Sequence, residues 1–122
     1  MSPIDVVLDN ERALVGQPDV VFVARERFEI IRDQIWGAPD LVVEVASPRS
    51  ARYDRTTKLG WYRNYGVREY WLVDPGRRSI LVLDLGTSGR RAMRRSAGNR
   101  VVRSEVLPGL TATAAEYFEA GP

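Results

Sequence analysis

The stretch PDLVVEVASP, residues 39–48, decides how the rest of the chain is interpreted. Its apolar run from Leu41 to Ala46 is typical of a strand that is buried on both faces. An acidic side chain, Glu44, lies in the middle of that run. Because an unpaired buried carboxylate is costly, we expect Glu44 to have a cation, a proton or hydrogen bonds as its partner.

Composition limits the chemistry that the chain can perform. With 122 residues it can form one core, so we expect a single domain over residues 1–122. It has no cysteine and no histidine, which excludes disulfides, zinc sites built on thiolate or imidazole, and catalytic triads that use histidine. Catalysis would have to use carboxylates, lysine, tyrosine or hydroxyl groups. Carboxylates acting on a phosphate substrate point to Mg²⁺ (or Mn²⁺), which prefers oxygen ligands.

Signals for membrane insertion or export are missing from the sequence. No apolar run approaches the length of a membrane span, and the N-terminus MSPIDVV lacks the basic region of a secretory signal. The absence of cysteine fits a reducing compartment. We therefore expect a cytoplasmic protein with no membrane partner.

The residue pattern predicts strands, then a helix, then further strands. The predicted strands cover residues 3–9, 18–23, 41–47, 69–74, 79–85, 91–96 and 100–106. Phe28, Ile31 and Ile35 have helical spacing and predict a short surface helix over residues 24–35. A longer helix is expected over residues 51–65, with Ser50 as its N-cap and Gly66 at its end, and residues 110–119 are expected to form a strand or a short helical tail.

Alternation along the strand 41–47 places Asp40, Val42 and Glu44 on one face. Asp40 and Glu44 look like a carboxylate pair, but four residues of strand span about 13 Å at about 3.3 Å each. A magnesium ion holds its oxygen ligands at about 2.1 Å. These two acids therefore do not suit a single ion.

Asp19 is a better partner for Glu44. It opens the strand predicted over residues 18–23, and an antiparallel pairing with residues 41–47 would place it beside Glu44. Helical periodicity puts five side chains on one inward face of the following helix: Asp54, Lys58, Trp61, Tyr62 and Tyr65. Lys58 is the only lysine among 18 basic residues, and on this face it would point toward Asp19 and Glu44.

Each of the three residues also has a purely structural interpretation. Glu44 could be a core acid paired with an arginine. Lys58 could pair with Asp54 four residues earlier on the helix, and Asp19 could cap a turn. Their joint placement favours a functional site.

The order of these residues resembles the Uma family of putative restriction endonucleases, which belongs to the PD-(D/E)XK nuclease superfamily. The motifs that carry the resemblance are Gln17-Pro18-Asp19, PDLVVEVASP, Asp54, Lys58, Tyr62, Gly66, EYWLVDP at 69–75 and LPGL at 107–110. They span essentially the whole chain. The resemblance implies an α/β fold with a restriction-endonuclease-like mixed β-sheet, a helix after the motif strand, and Mg-dependent hydrolysis of DNA phosphodiester bonds.

The resemblance also implies roles for individual residues. Asp19, Glu44 and Lys58 would be catalytic, with Asp19 and Glu44 as the metal ligands. The motif lysine usually stands two positions after the second acid, where this chain has Ala46, so the lysine would have moved to Lys58 on the helix. Three further residues match family positions of secondary role: Asp40, Asp54 and Tyr62.

The sequence departs from the family pattern at its N-terminus. Family members typically begin with a region that carries a helix, early strands and another acidic residue, whereas this sequence starts near the strand PIDVVLD. The alternative to an active enzyme is therefore a catalytically inactive, truncated nuclease-like domain that binds nucleic acid or a protein. An exposed sheet edge would also allow a second copy of the chain to pair with it.

Arginines crowd the segment from residue 90 to residue 103. They are Arg90, Arg91, Arg94, Arg95, Arg100 and Arg103. On two adjacent strands several of them would face the same way and form a basic stripe for DNA phosphates. The alternative is a solvated surface in a chain that is rich in arginine.

Overall fold

The computed structural model describes residues 5–46, 52–86 and 93–119, with the side chains of residues 52–56 outside the described set. Within these residues the strands are β1 Val6–Asp9, β2 Leu14–Gly16, β3 Val20–Phe22, β4 Ile35–Trp36, β5 Leu41–Val45, β6 Glu69–Asp74, β7 Ser79–Asp84 and β8 Met93–Ala97. The helices are a 3₁₀ helix Arg25–Ile30, then α1 Arg52–Asn64 and α2 Ala114–Glu119. The N-cap predicted at Ser50 lies outside the described residues.

The strands form two sheets. The larger has the order β3-β5-β6-β7-β8, and the smaller has the order β2-β1-β4. In the larger sheet β5 and β6 are parallel, while the other neighbours are antiparallel. Parallel neighbours need a crossover, and α1 lies in that connection. The expected mixed sheet with a helix after the motif strand is therefore confirmed, and the smaller sheet is an addition to it.

Buried side chains lie on both faces of the larger sheet, because alternate residues of each strand point to opposite sides. The cluster on the face that carries α1 contains Val6, Leu8, Ile35, Ala38, Val42, Tyr62, Val67, Tyr70 and Leu83. The cluster on the other face contains Leu41, Trp71, Ile80, Val82, Val102 and Ala114. Each fully buried aliphatic side chain contributes about 1.5–3 kcal/mol, so both clusters hold the sheet in place.

The short surface helix predicted over residues 24–35 forms only in part. The 3₁₀ helix Arg25–Ile30 lies within that range, and Phe28 and Ile31 are exposed. Ile35 belongs to β4, where its backbone N–H donates a hydrogen bond to the backbone carbonyl oxygen of Asp5 at 2.9 Å. Pairing with the smaller sheet therefore overrides the helical spacing of the three apolar residues.

The strand predicted over residues 100–106 is wrong. A single antiparallel bridge joins Val101 to Thr113, and the segment after it is irregular. The carboxylate of Glu69 holds that segment by accepting hydrogen bonds from the Ser104 hydroxyl at 2.5 Å and the Glu105 backbone N–H at 3.0 Å. The basic stripe expected on two paired strands is therefore not formed in that way. Two of its arginines, at 90 and 91, lie outside the described residues.

Candidate active site

Asp19 lies at the Glu44 end of β5. The antiparallel register of β3 and β5 pairs Val20 with Val43, and Asp19 directly precedes β3. The backbone N–H of Asp19 donates to Val43 O at 3.1 Å, and the N–H of Val45 donates to Asp19 Oδ2 at 2.7 Å. The antiparallel arrangement expected from the sequence is confirmed. Asp19 is thereby fixed to the backbone on both sides of Glu44.

Glu44 is buried and has both a cation and a hydroxyl as partners. Lys58 Nζ lies 3.0 Å from Glu44 Oε1 and donates to it. The hydroxyl of Tyr70 donates to Glu44 Oε2 at 2.6 Å. These contacts stabilise a carboxylate that would otherwise be costly to bury. The cation beside Glu44 is thus a lysine, not the arginine that the structural alternative assumed.

Lys58 reaches Glu44 from α1. Its position about two turns into the helix brings it back over the end of β5, and its side chain remains 26% exposed. The ammonium group therefore faces both a buried carboxylate and solvent. Asp54 precedes it by one turn of α1, but the Asp54 side chain lies outside the described set.

Tyr70 is a site residue that the sequence interpretation missed. The parallel register pairs Val42 with Tyr70 and Glu44 with Leu72, so Tyr70 is a diagonal neighbour of Glu44. Diagonal neighbours on one face are about 7–8 Å apart, within reach of a long aromatic side chain. The buried residue is placed where its hydroxyl meets the Glu44 carboxylate. The parallel β5–β6 register was the signal needed to find it.

Tyr62 supports Tyr70 from α1. Tyr62 is fully buried, and its ring centroid lies 5.5 Å from that of Tyr70. A Cβ atom on Gly16 of β2 would lie 3.0 Å from Tyr62 Oη, so the smaller sheet backs Tyr62 closely. Trp61 and Tyr65 also pack, partly buried, against the same cluster. The inward direction predicted for this face of the helix is therefore confirmed for Tyr62, while Trp61 and Tyr65 lie at its partly buried margin.

Asp40 occupies the other end of β5 and is part of a separate contact network. It is buried and accepts a hydrogen bond from the Ala24 backbone N–H at 2.6 Å. Its Oδ1 also lies 3.5 Å from Arg27 Nη1 and 3.4 Å from Arg68 Nη1. These contacts tie neighbouring loops to the sheet.

The donor set of the site suits a hard divalent cation. Within the described residues no group of three or more acidic side chains is placed to hold a metal ion, and the site offers the two carboxylates of Asp19 and Glu44. Magnesium commonly takes one or two protein carboxylates and completes its shell with water and phosphate oxygens. Asp19 is exposed, and its Oδ1 has no hydrogen-bond donor in the described parts of the chain.

Comparisons with known proteins identify a family and a related fold. The model of the Uma2 family, described as "Putative restriction endonuclease", matches residues 4–115. The crystal structure of a putative nuclease belonging to DUF820, from Anabaena variabilis ATCC 29413, has a TM-score of 0.78 and 16% sequence identity. The similarity covers 98% of this chain and 66% of that one. At this identity it shows the fold, and the chain spans about two thirds of the length of that nuclease.

Two further observations complete the comparison. No curated protein matches the chain. In the parts of the chain that the structure describes, no helix is long and apolar enough to cross a membrane.

Proposed function

The chain belongs to the Uma2 family of putative restriction endonucleases, and on that basis we propose that it hydrolyses DNA phosphodiester bonds with the help of a divalent metal ion. The observation that carries the proposal is the joint placement of Asp19, Glu44 and Lys58 at one end of β5. Two carboxylates and a lysine at one point suit metal-assisted phosphodiester hydrolysis.

We assign Asp19 and Glu44 to the metal ion, which is Mg²⁺ or Mn²⁺. A divalent ion there supplies Lewis-acid polarisation of the phosphate and of a nearby water. The Glu44 carboxylate has a fixed orientation, because Lys58 and Tyr70 each donate a hydrogen bond to one of its oxygens. Carboxylate oxygens have further lone pairs beyond these two bonds. The exposed carboxylate of Asp19 brings the second negative charge.

Lys58 acts on the water or on the phosphate. Its ammonium group is within hydrogen-bonding distance of Glu44 Oε1 and is partly exposed, so it can also reach a substrate group on the solvent side. There it orients the attacking water or stabilises charge on the phosphoryl oxygens. A lysine suits this role better than an arginine, because its charge is compact and its pKa responds to partial burial.

Tyr70 positions Glu44 without contacting the substrate. Its hydroxyl bond restricts the rotamers of the carboxylate, and its ring is held in turn against Tyr62. Partners that orient metal-binding side chains typically contribute 10–100-fold in activity or metal affinity. Tyr70 is therefore a positioning residue of the proposed site.

Cleavage of supercoiled plasmid DNA tests the proposal. We expect nicked or linear product with Mg²⁺ or Mn²⁺, none with EDTA, and a loss of more than about 100-fold in Glu44→Gln, since even supporting residues contribute 10–100-fold. Glu29→Gln is the matched control, because Glu29 is exposed on the 3₁₀ helix.

The possible results separate the two candidate functions. Cleavage by Glu44→Gln at the wild-type rate would contradict the assignment of Glu44. A wild-type protein that binds DNA but does not cleave it in the presence of either metal ion would favour the alternative of a non-catalytic binding module.

A further inference from the structure

Two adjacent arginines of β8 have different environments. Arg94 makes a bidentate ion pair with Asp84, with Nη1–Oδ2 and Nη2–Oδ1 distances of 2.5 and 3.0 Å. It also lies 3.9 Å from the buried carboxylate of Glu69. The hydrogen bonds to Asp84 raise the pKa of Arg94 above its usual value. Arg94 is therefore committed to contacts within the protein.

Arg95 lies on the opposite face of β8, because successive side chains of a strand point to opposite sides. It is exposed, and it makes no ion pair with any residue in the described parts of the chain. Leu81 of β7 is its direct partner in the sheet. The charge of Arg95 is thus available to a ligand, whereas that of its neighbour is not.

The sheet register connects Arg95 to the candidate active site. Glu44 pairs with Leu72, Leu72 with Leu81, and Leu81 with Arg95. Directly paired residues point to the same face of a sheet. One row therefore runs from Glu44 to Arg95 across three strand spacings, a distance of about 14 Å at about 4.8 Å per spacing.

A groove follows the outer part of this row. It has a volume of about 180 Å³ and is lined by Leu72, Asp74, Arg77, Ser79, Leu81 and Arg95. Asp74, the one carboxylate among the described residues of its lining, accepts a hydrogen bond from the backbone N–H of Arg77 at 3.2 Å and lies 4.0 Å from Arg77 Nε. The groove thus has Leu72 and Leu81 between Arg77, which has Asp74 nearby, and Arg95.

Arg95 also lines a second, larger groove along the β8 edge of the sheet. This groove has a volume of about 570 Å³, and its basic side chains are Arg94, Arg95, Arg100 and Arg103. Arg100 and Arg103 are exposed. Arg95 is therefore the residue at which the row from Glu44 meets the basic edge.

We propose that Arg95 binds a backbone phosphate of the DNA strand whose cleaved phosphate lies at Glu44 and Lys58. This inference rests on the proposed nuclease function and assigns the path that the strand takes over the sheet. A phosphate near Glu44 and another a few nucleotides away at Arg95 would bracket the apolar surface of Leu72 and Leu81. Arg95 is thereby a substrate-binding residue, and Arg94 is a structural one.

The test measures duplex binding as a function of salt. Wild type, Arg95→Ala and Arg25→Ala are titrated into a fluorescently labelled duplex, with Ca²⁺ in place of Mg²⁺, from low to moderate KCl. Losing one phosphate contact should reduce the slope of log K against log[salt] by about 0.9. We expect this reduction, and weaker binding to every duplex sequence, in Arg95→Ala. Arg25 is exposed and lies beyond β3 at the other end of the sheet, so its variant should match the wild type.

The outcomes separate this inference from the nuclease proposal. If the wild type binds duplex and Arg95→Ala binds it with the same affinity and the same salt slope, the role of Arg95 is overturned and the nuclease proposal is left intact. A reduced slope in a protein that never cuts DNA would support phosphate binding by Arg95 but contradict both the nuclease proposal and the placement of a cleaved phosphate at Glu44. A wild-type protein that does not bind duplex would overturn both.

Discussion

Lys58 Nζ lies 3.0 Å from Glu44 Oε1, although 14 residues separate them in the chain. The strand ends one residue after Glu44, and α1 then returns Lys58 to the same point. The carboxylate of β5 and the ammonium group of α1, two consecutive elements of the chain, are therefore in contact. This contact is the centre of the proposed site.

Replacing Lys58 with arginine keeps the positive charge but changes its shape and fixes its protonation. The guanidinium group is planar and stays charged at all accessible pH values. If Lys58 takes part in proton transfer, cleavage should fall by about 10²–10⁴-fold, while the melting temperature changes little. Plasmid cleavage and thermal melting of the same preparation measure the two effects. A Lys58→Arg protein that cuts at the wild-type rate would reduce Lys58 to a structural ion pair.

Replacing Tyr70 with phenylalanine removes the hydroxyl bond to Glu44 and keeps the ring against Tyr62. Because Glu44 loses one of its two orienting contacts, we expect cleavage to fall by about 10–100-fold. Tyr117→Phe is the control, since Tyr117 is exposed and its ring contacts Trp71 on the other face. Equal cleavage rates for the two variants would show that the Tyr70 hydroxyl does not position Glu44.

Replacing Gly16 with alanine tests the packing behind the site. The added Cβ would lie 3.0 Å from Tyr62 Oη, closer than ordinary contact. Overpacking of this kind typically costs about 1–3 kcal/mol. Gly60→Ala is the matched control, because its Cβ meets nothing within 4 Å and alanine is favoured over glycine by about 0.5–1 kcal/mol inside a helix.

Urea denaturation gives the free energy of unfolding for both glycine variants. We expect Gly16→Ala to be less stable than the wild type and Gly60→Ala to be equally or more stable. A Gly16→Ala protein of wild-type stability would mean that Tyr62 has room to move, and that β2 does not constrain it.

The contact between Tyr65 and Asp9 should make stability depend on pH in the acid range. The Tyr65 hydroxyl donates to Asp9 Oδ2 at 2.8 Å and, with smaller contributions from Arg12, lowers the pKa of Asp9 below its usual 3.8. A depressed carboxyl pKa stabilises the fold above the unfolded pKa, and this contribution is lost as the pH falls through the folded pKa. In Tyr65→Phe the pKa of Asp9 should rise toward 3.8.

An NMR titration of the Asp9 side chain measures that rise directly. The stability difference between wild type and Tyr65→Phe should also shrink as the pH falls below the folded pKa of Asp9. An unchanged Asp9 titration in Tyr65→Phe would show that the hydroxyl bond does not hold the carboxylate in solution.

Much of the site could be predicted from the sequence because its pattern is local. Alternation along β5 gave the face of Glu44, and helical periodicity in α1 gave the inward direction of Lys58. The position of Asp19 needed one assumption, the antiparallel pairing of β3 with β5, which the structure confirms. The bounds of β6, Glu69–Asp74, match the predicted strand.

The parts that were missed depend on contacts between distant segments. Tyr70 reaches Glu44 through the parallel register set by the β5–α1–β6 crossover, which no local pattern encodes. β4 has two residues and forms because β1 pairs with it, so the local spacing of Ile35 predicts a helix instead. Residues 104–106 bond to a buried side chain, Glu69, instead of a strand, and alternation does not reveal such a partner.

Calorimetric titration of Mn²⁺ into the wild type, Asp19→Asn and Glu44→Gln tests most directly whether these two acids form a metal site. Both substitutions keep an oxygen that can accept the existing hydrogen bond, from the Val45 N–H in one case and from Tyr70 or Lys58 in the other. We predict that the wild type and the Glu29→Gln control bind one ion, and that each site variant binds it at least about 10-fold more weakly. A wild type that binds no ion, or an Asp19→Asn protein that binds as tightly as the wild type, would contradict the account.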